Sequence, residues 1–269
     1  MELQEPIIKS NALASISQMI LNKDLYRSGW IYNFFGKLIW EEGGNYLTFL
    51  DYKFFWQYGI QLKRYFEYPF CENYIGLSKF IAKYLKKGYF IISYLNSQFH
   101  EKDVFQSDIL FYDIDDEGKF YKFCEWNESG EIFYRKEKFE DIFFRLYKDF
   151  DKEGKYTFDL QQIVPYKNLK FDKKILKEEL SKAHLNFIHY AIKFIIISVK
   201  ETDRTERVFK EWITIYKRRL KFLKQTSVKI AIEIKKFENI LYSDMNKKRK
   251  VGKLINKYNK LNKLLIKNL

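Results

Sequence analysis

Cysteine, histidine and proline are all scarce in this sequence, and each shortage removes a class of protein. Two cysteines, Cys71 and Cys124, are too few for a disulfide framework or a structural zinc site, and they point to a reducing, cytoplasmic setting. Histidine is limited to His100, His184 and His189. There are 3 prolines, none after Asp172, and no tract rich in Pro, Gly or Ser, which excludes extended disorder and permits long helices. The opening stretch MELQEPIIKSNALASISQ has acidic residues where a secretory signal has basic ones and lacks a sustained apolar core, so no signal peptide is expected. The most apolar run, Phe187–Val199, contains His189 and Lys193 and is too short to span a bilayer; a buried helix is expected there, and no membrane insertion. The patterns GxGxxG, GxxxxGK[ST], HExxH and GxSxG are all missing, which leaves dinucleotide, P-loop, zinc-protease and hydrolase-elbow chemistry without support and no cofactor expected.

What the chain has in abundance is aromatic and basic residues. Aromatics make up 19% of the sequence, with 26 Phe and 21 Tyr, and 269 residues suffice to bury a core in a domain with an appendage. Lys and Arg outnumber Asp and Glu by 49 to 35, and the last 24 residues, Asn246–Leu269, hold nine basic residues and no acidic one. Such an excess favours an acidic partner, while its plain reading is a solvated lysine-rich helix face.

The pattern along the chain divides in two. A short helix is expected over Ser10–Asn22, with Leu13, Ile16 and Ile20 on one face. Trp30–Trp40 and Tyr46–Trp56 are aromatic-rich and separated by the turn chemistry of Glu41 to Asn45. Helical spacing over Glu72–Lys86, closed by Lys87-Gly88, leads into strands at Tyr89–Leu95, Ile109–Ile114, Lys119–Cys124 and Ile132–Arg135, with a helix near Lys138–Lys148. After Asp172 come amphipathic stretches at Lys173–Lys200, Arg204–Tyr242 and Lys247–Leu269. In the last, Val251, Leu254, Ile255, Tyr258, Leu261 and Leu265 form an apolar stripe beside Lys253, Lys257, Lys260, Lys263 and Lys267, read as core packing with a basic outer face.

Two acidic turns have the opening of a calcium loop: Asp113, Asp115, Glu117, Gly118 and Asp149, Asp151, Glu153, Gly154. The twelfth positions are Cys124 and Leu160 where a bidentate glutamate is needed, so both read as solvated turns. Cys71 precedes a predicted helix, where the dipole would favour a thiolate, although single cysteines are usually inert packing residues.

Taken in order, NALASISQMI, WIYNF, WQYGI with a helix into KKGYFIISYLNSQF, FQSDILFYDIDDEGKFYKFCEWNESG, and late in the chain DRTERVFKEWITIYKRRLKFL resemble papain-like proteins of the peptidase C39-like type, akin to the N-terminal region of the butirosin-biosynthesis acyltransferase. The resemblance implies a cysteine that opens the first helix, a histidine that opens the strand before the acidic hairpin, and an acid or amide on the next strand. Active members of that kind pass an acyl group from a carrier-protein thioester to an amine. On this chain the nucleophile position is Ala12, the base position Ser107, and the orienting position Cys124 or Glu125. An alanine forms no acyl-enzyme, so the resemblance implies a catalytically degenerate relative.

The expectation is an α+β protein, with a papain-like antiparallel-sheet domain over residues 1–165 and a helical unit over 166–269 packed on it. Three functions stay open: a non-catalytic protein of a nonribosomal-type specialised-metabolite pathway binding an acyl or small-molecule ligand; a cysteine acyltransferase whose nucleophile is replaced by Ala12 or relocated to Cys71 or Cys124 with His100; and a basic module docking an acyl carrier protein or, less favoured, nucleic acid.

Overall fold

The computed structural model describes residues 3, 5–9, 15–16, 18–19, 32, 38–41, 46–49, 61–68, 74–94, 108–115, 117, 119–126, 131–143, 146, 156–163, 170–181, 199–225 and 227–269. The protein is α+β. In chain order the elements are β1 (Leu38–Glu41), β2 (Tyr46–Phe49), β3 (Gln61–Tyr68), α1 (Tyr74–Lys86), β4 (Phe90–Tyr94), β5 (Asp108–Ile114), β6 (Phe120–Trp126), β7 (Ile132–Lys138), α2 (Phe139–Phe143), β8 (Tyr156–Ile163), α3 (173–181), α4 (Val199–Phe222), α5 (Val228–Leu241) and α6 (Lys247–Asn268). Two compact units result, residues 1–21 with 51–167 and residues 22–50 with 168–269. A single cut at 165 therefore misplaces segment 22–50, which holds the β1–β2 hairpin. That hairpin lies against α4, a pairing across some 150 residues that no local pattern announces.

The first unit is a six-stranded antiparallel sheet in the order β3-β8-β4-β5-β6-β7. β4 to β7 follow the alternation of the sequence, and the register Ile91↔Phe111↔Phe123 sets those side chains in one row. That face is buried by α1 and α2: Leu77, Ile81 and Leu85, spaced four apart, join Phe139 and Ile142 in one apolar core with Phe111, Tyr121, Phe123, Phe158 and Leu160. The Tyr121 hydroxyl reaches α1, donating to the Ser78 carbonyl at 2.8 Å. α1 ends where expected. The Tyr89 amide donates to the Tyr84 carbonyl at 3.0 Å and the Gly88 amide to Leu85 at 2.9 Å, and this closure places Gly88 at φ 79, which glycine adopts without strain. Strands β3 and β8 were not legible, because QLKRYFEY and YTFDLQQI mix apolar and polar residues in both alternating sets.

In the second unit α4, α5 and α6 enclose an aromatic core. Trp212 lies 4.7 Å from Tyr258 and 5.3 Å from Phe237 between ring centroids, and the Tyr216 hydroxyl donates to the Leu261 carbonyl at 2.8 Å. The apolar stripe of α6 is buried in full from Val251 to Leu265. The amphipathic stretch Arg204–Tyr242 is two helices instead of one. α4 closes with the Gln225 amide donating to Leu220 and Lys224 at φ 52, and Ser227 then caps α5, its Oγ accepting from the Ile230 amide at 3.2 Å. A lysine in the left-handed position usually taken by glycine hides this break from a sequence reading.

Candidate functional site

Cys124 and Glu125 are neighbours on β6, so the two-residue period of a strand sends them to opposite faces of the sheet. Cys124 points away from α1. It is fully buried, its Sγ lies 3.9 Å from the Leu110 carbonyl, and burial, reinforced by the Glu125 carboxylate, pushes its thiol well above the ordinary range. A thiol held protonated and out of solvent is no nucleophile.

Glu125 lies on the helix-covered face with Tyr121 and Phe123. It too is fully buried, and it accepts a hydrogen bond from Arg135 Nε at 2.7 Å. Arg135 in turn lies over the Phe133 ring at 5.6 Å. The carboxylate is thus committed to a cross-strand ion pair that bridges β6 and β7. Ala12, Ser107, Cys71 and His100 lie outside the described residues, as do His184, His189 and the second acidic turn.

The first acidic turn is a device of the backbone. Asp115 Oδ1 accepts from the amides of Lys119 at 2.8 Å and Phe120 at 3.1 Å, closing the β5–β6 hairpin. Asp113 bonds Lys122 at 2.9 Å, and although burial works the other way, this ammonium holds its carboxyl below the usual range. Both carboxylates are engaged within the hairpin. Among the described residues no cluster of His, Cys, Asp or Glu is arranged to hold a metal, and no helix is long and apolar enough to cross a membrane.

On the face that carries Cys124 lies a cavity of about 500 Å³, lined by Leu3, Glu5, Lys9, Tyr112, Ile132 and Tyr134. Register places Ile132 opposite Trp126 and Tyr134 opposite Cys124, so β7 supplies two of its walls. Tyr112 comes from β5, at the irregularity between Phe111 and Asp113 where the strand carries an extra residue. Tyr134 is 54% exposed and presents its ring to the opening. Burial raises both phenols, with Cys124 and nearby carboxylates adding to it, so at neutral pH each is an O–H donor. Glu5 and Lys9 face each other at 3.6 Å and provide a charge of each sign. The cavity therefore offers apolar surface, two phenol donors and one ion pair, a set that binds a mixed polar and apolar molecule. No sequence reading singled out Tyr112 or Tyr134, although both stand in alternating strands, because the N-terminal segment that completes the cavity meets them only in the fold.

No known family profile matches the chain, and no curated protein or solved structure shows significant similarity to it.

The second unit has buried charges of its own. Arg219 is 2% exposed, donates from Nε to the Tyr32 carbonyl at 2.9 Å, and is pulled down to about 10 by burial, against the pull of Tyr216, Tyr258 and Tyr32. Glu233 on α5 accepts from Lys257 and Lys260 of α6, each at 2.9 Å. Burial would raise this carboxyl, but the two ammonium groups bring it down to about 2. Glu233 fastens α5 to α6, and Arg219 ties α4 to the backbone at Tyr32.

Proposed function

We propose that the chain is a papain-like protein of the peptidase C39-like type, serving a carrier-protein-dependent pathway, that binds an acyl or small-molecule ligand without turning it over. The observation that carries the reading is the pairing of a ligand-sized cavity with a sealed, protonated Cys124. Glu125, at the orienting position, supports it: that carboxylate is spent on Arg135 and faces away from the cavity. Ala12 at the nucleophile position and Ser107 at the base position agree in residue type. The basic excess of the helical unit suits an acidic carrier protein.

The test uses the full chain with an acyl N-acetylcysteamine thioester and with an acyl-loaded carrier protein. Expected are saturable binding by calorimetry, no covalent adduct by intact mass, no thioester loss beyond the buffer rate, and about tenfold weaker binding in Tyr134→Ala. Absence of binding to either probe overturns the proposal. A covalent acyl adduct on Cys71 that depends on His100 replaces it with a cysteine acyltransferase.

A further inference from the structure

The whole positive excess of the chain resides in its last three helices. Residues 199–269 contain 21 Lys and Arg against 7 Asp and Glu, a surplus equal to the +14 of the full sequence, and residues 1–198 are balanced. Where α4 ends and α5 begins, an open groove of about 330 Å³ is floored by Leu220, Ile230 and Ile234 and edged by Lys217, Lys221 and Lys224. α5 continues this apolar surface outward: Val228 is 75% exposed and Ile232 47% exposed, with exposed Ala231 between them. Residues 228, 231, 232 and 235 share one edge of a helix, so the groove and the stripe form one elongated patch.

The charges around it are predominantly basic. Lys217 is held by Glu238 at one end, whereas Lys221, Lys224, Lys229 and Lys235 make no ion pair among the described residues. Glu233 is turned away, into its pairs with Lys257 and Lys260.

We propose that this patch docks an acidic amphipathic helix of a partner protein. A helix with apolar residues at i, i+3, i+4 and i+7, flanked by Asp and Glu, meets both the Val228–Ile234 surface and the lysine rim. A nucleic-acid backbone would match the lysines and leave the valine and isoleucine unused, and an acyl chain would remain half in water in so open a groove. The inference goes beyond the cavity reading and does not depend on it.

The probe is a fluorescein-labelled 18-residue helical peptide of Leu and Glu with that spacing, titrated by anisotropy against the full chain. Controls are a scrambled peptide of the same composition and a 20-nucleotide oligo-dT. Expected are at least about tenfold tighter binding of the amphipathic peptide than of the scrambled one, and about tenfold loss in Ile232→Asp and in the double variant Lys221→Glu with Lys224→Glu. Tyr134→Ala, in the other unit, should bind the peptide unchanged. Val228, Ile232 and both lysines are exposed, so these variants keep the fold, which circular dichroism verifies. Equal binding of the scrambled peptide, tighter binding of oligo-dT, or an unchanged Ile232→Asp overturns the proposal.

Discussion

Arg135 keeps a carboxylate inside a sheet. Its removal in Arg135→Ala leaves Glu125 buried without that partner and should cost about 3 kcal/mol, read as a lower urea midpoint with unchanged slope. Glu125→Gln retains an acceptor and should cost less. At the adjacent position iodoacetamide should label Cys124 only after denaturation, since both its burial and its raised pKa withhold the thiolate. In the other unit, the Glu233 carboxyl stands at about 2 when folded against an ordinary 4.5, so its bridges stabilise above about pH 4.5 and their contribution is lost as the pH falls toward 2. Wild type should therefore melt above Glu233→Gln at neutral pH, with the gap closing between pH 4.5 and 2.

Helix and strand ends show where sequence and structure part. The α4–α5 junction holds Lys224 at φ 52, so Lys224→Gly should raise stability by about 1 kcal/mol, while Ser227→Ala, which removes the α5 cap, should lower it by about 1 kcal/mol. Thermal denaturation of the two variants shifts in opposite directions if the turn is as described. This junction was illegible because the residue that closes α4 is a lysine, whereas α1 was legible because Gly88 closes it. Strands β4 to β7 were legible for the same kind of reason: apolar alternation and the Asp115 turn act over a few residues. β3 and β8 pair across the sheet, Gln61 with Ile163, and only the folded chain brings them together. The candidate site fared worse. The strand period alone forbids Cys124 and Glu125 from sharing a cleft, yet Tyr112 and Tyr134 become a site only where Leu3, Glu5 and Lys9 come to lie beside them, which no motif marks.

The molecule as a whole keeps a slightly acidic sheet unit and a strongly basic helical unit in one chain. Because α6 supplies Leu254, Tyr258 and Leu261 to the aromatic core, it is structural as well as charged. Deleting Asn246–Leu269 should reduce the far-ultraviolet helical signal by more than the share of α6 itself, as α4 and α5 lose the surface on which they pack. A loss confined to that share would mean that α4 and α5 hold together alone.

The insertion of β8 between β3 and β4 also has a bearing on time. The meander from β4 to β7 pairs strands that follow one another in sequence, whereas β8 is the last strand in sequence and occupies an interior place, with β3 attached only through it. Loop-closure entropy then makes the meander the early part of the sheet and the β3–β8 pair the late one. Trimming Phe123 should slow refolding, and trimming Phe158 should chiefly hasten unfolding.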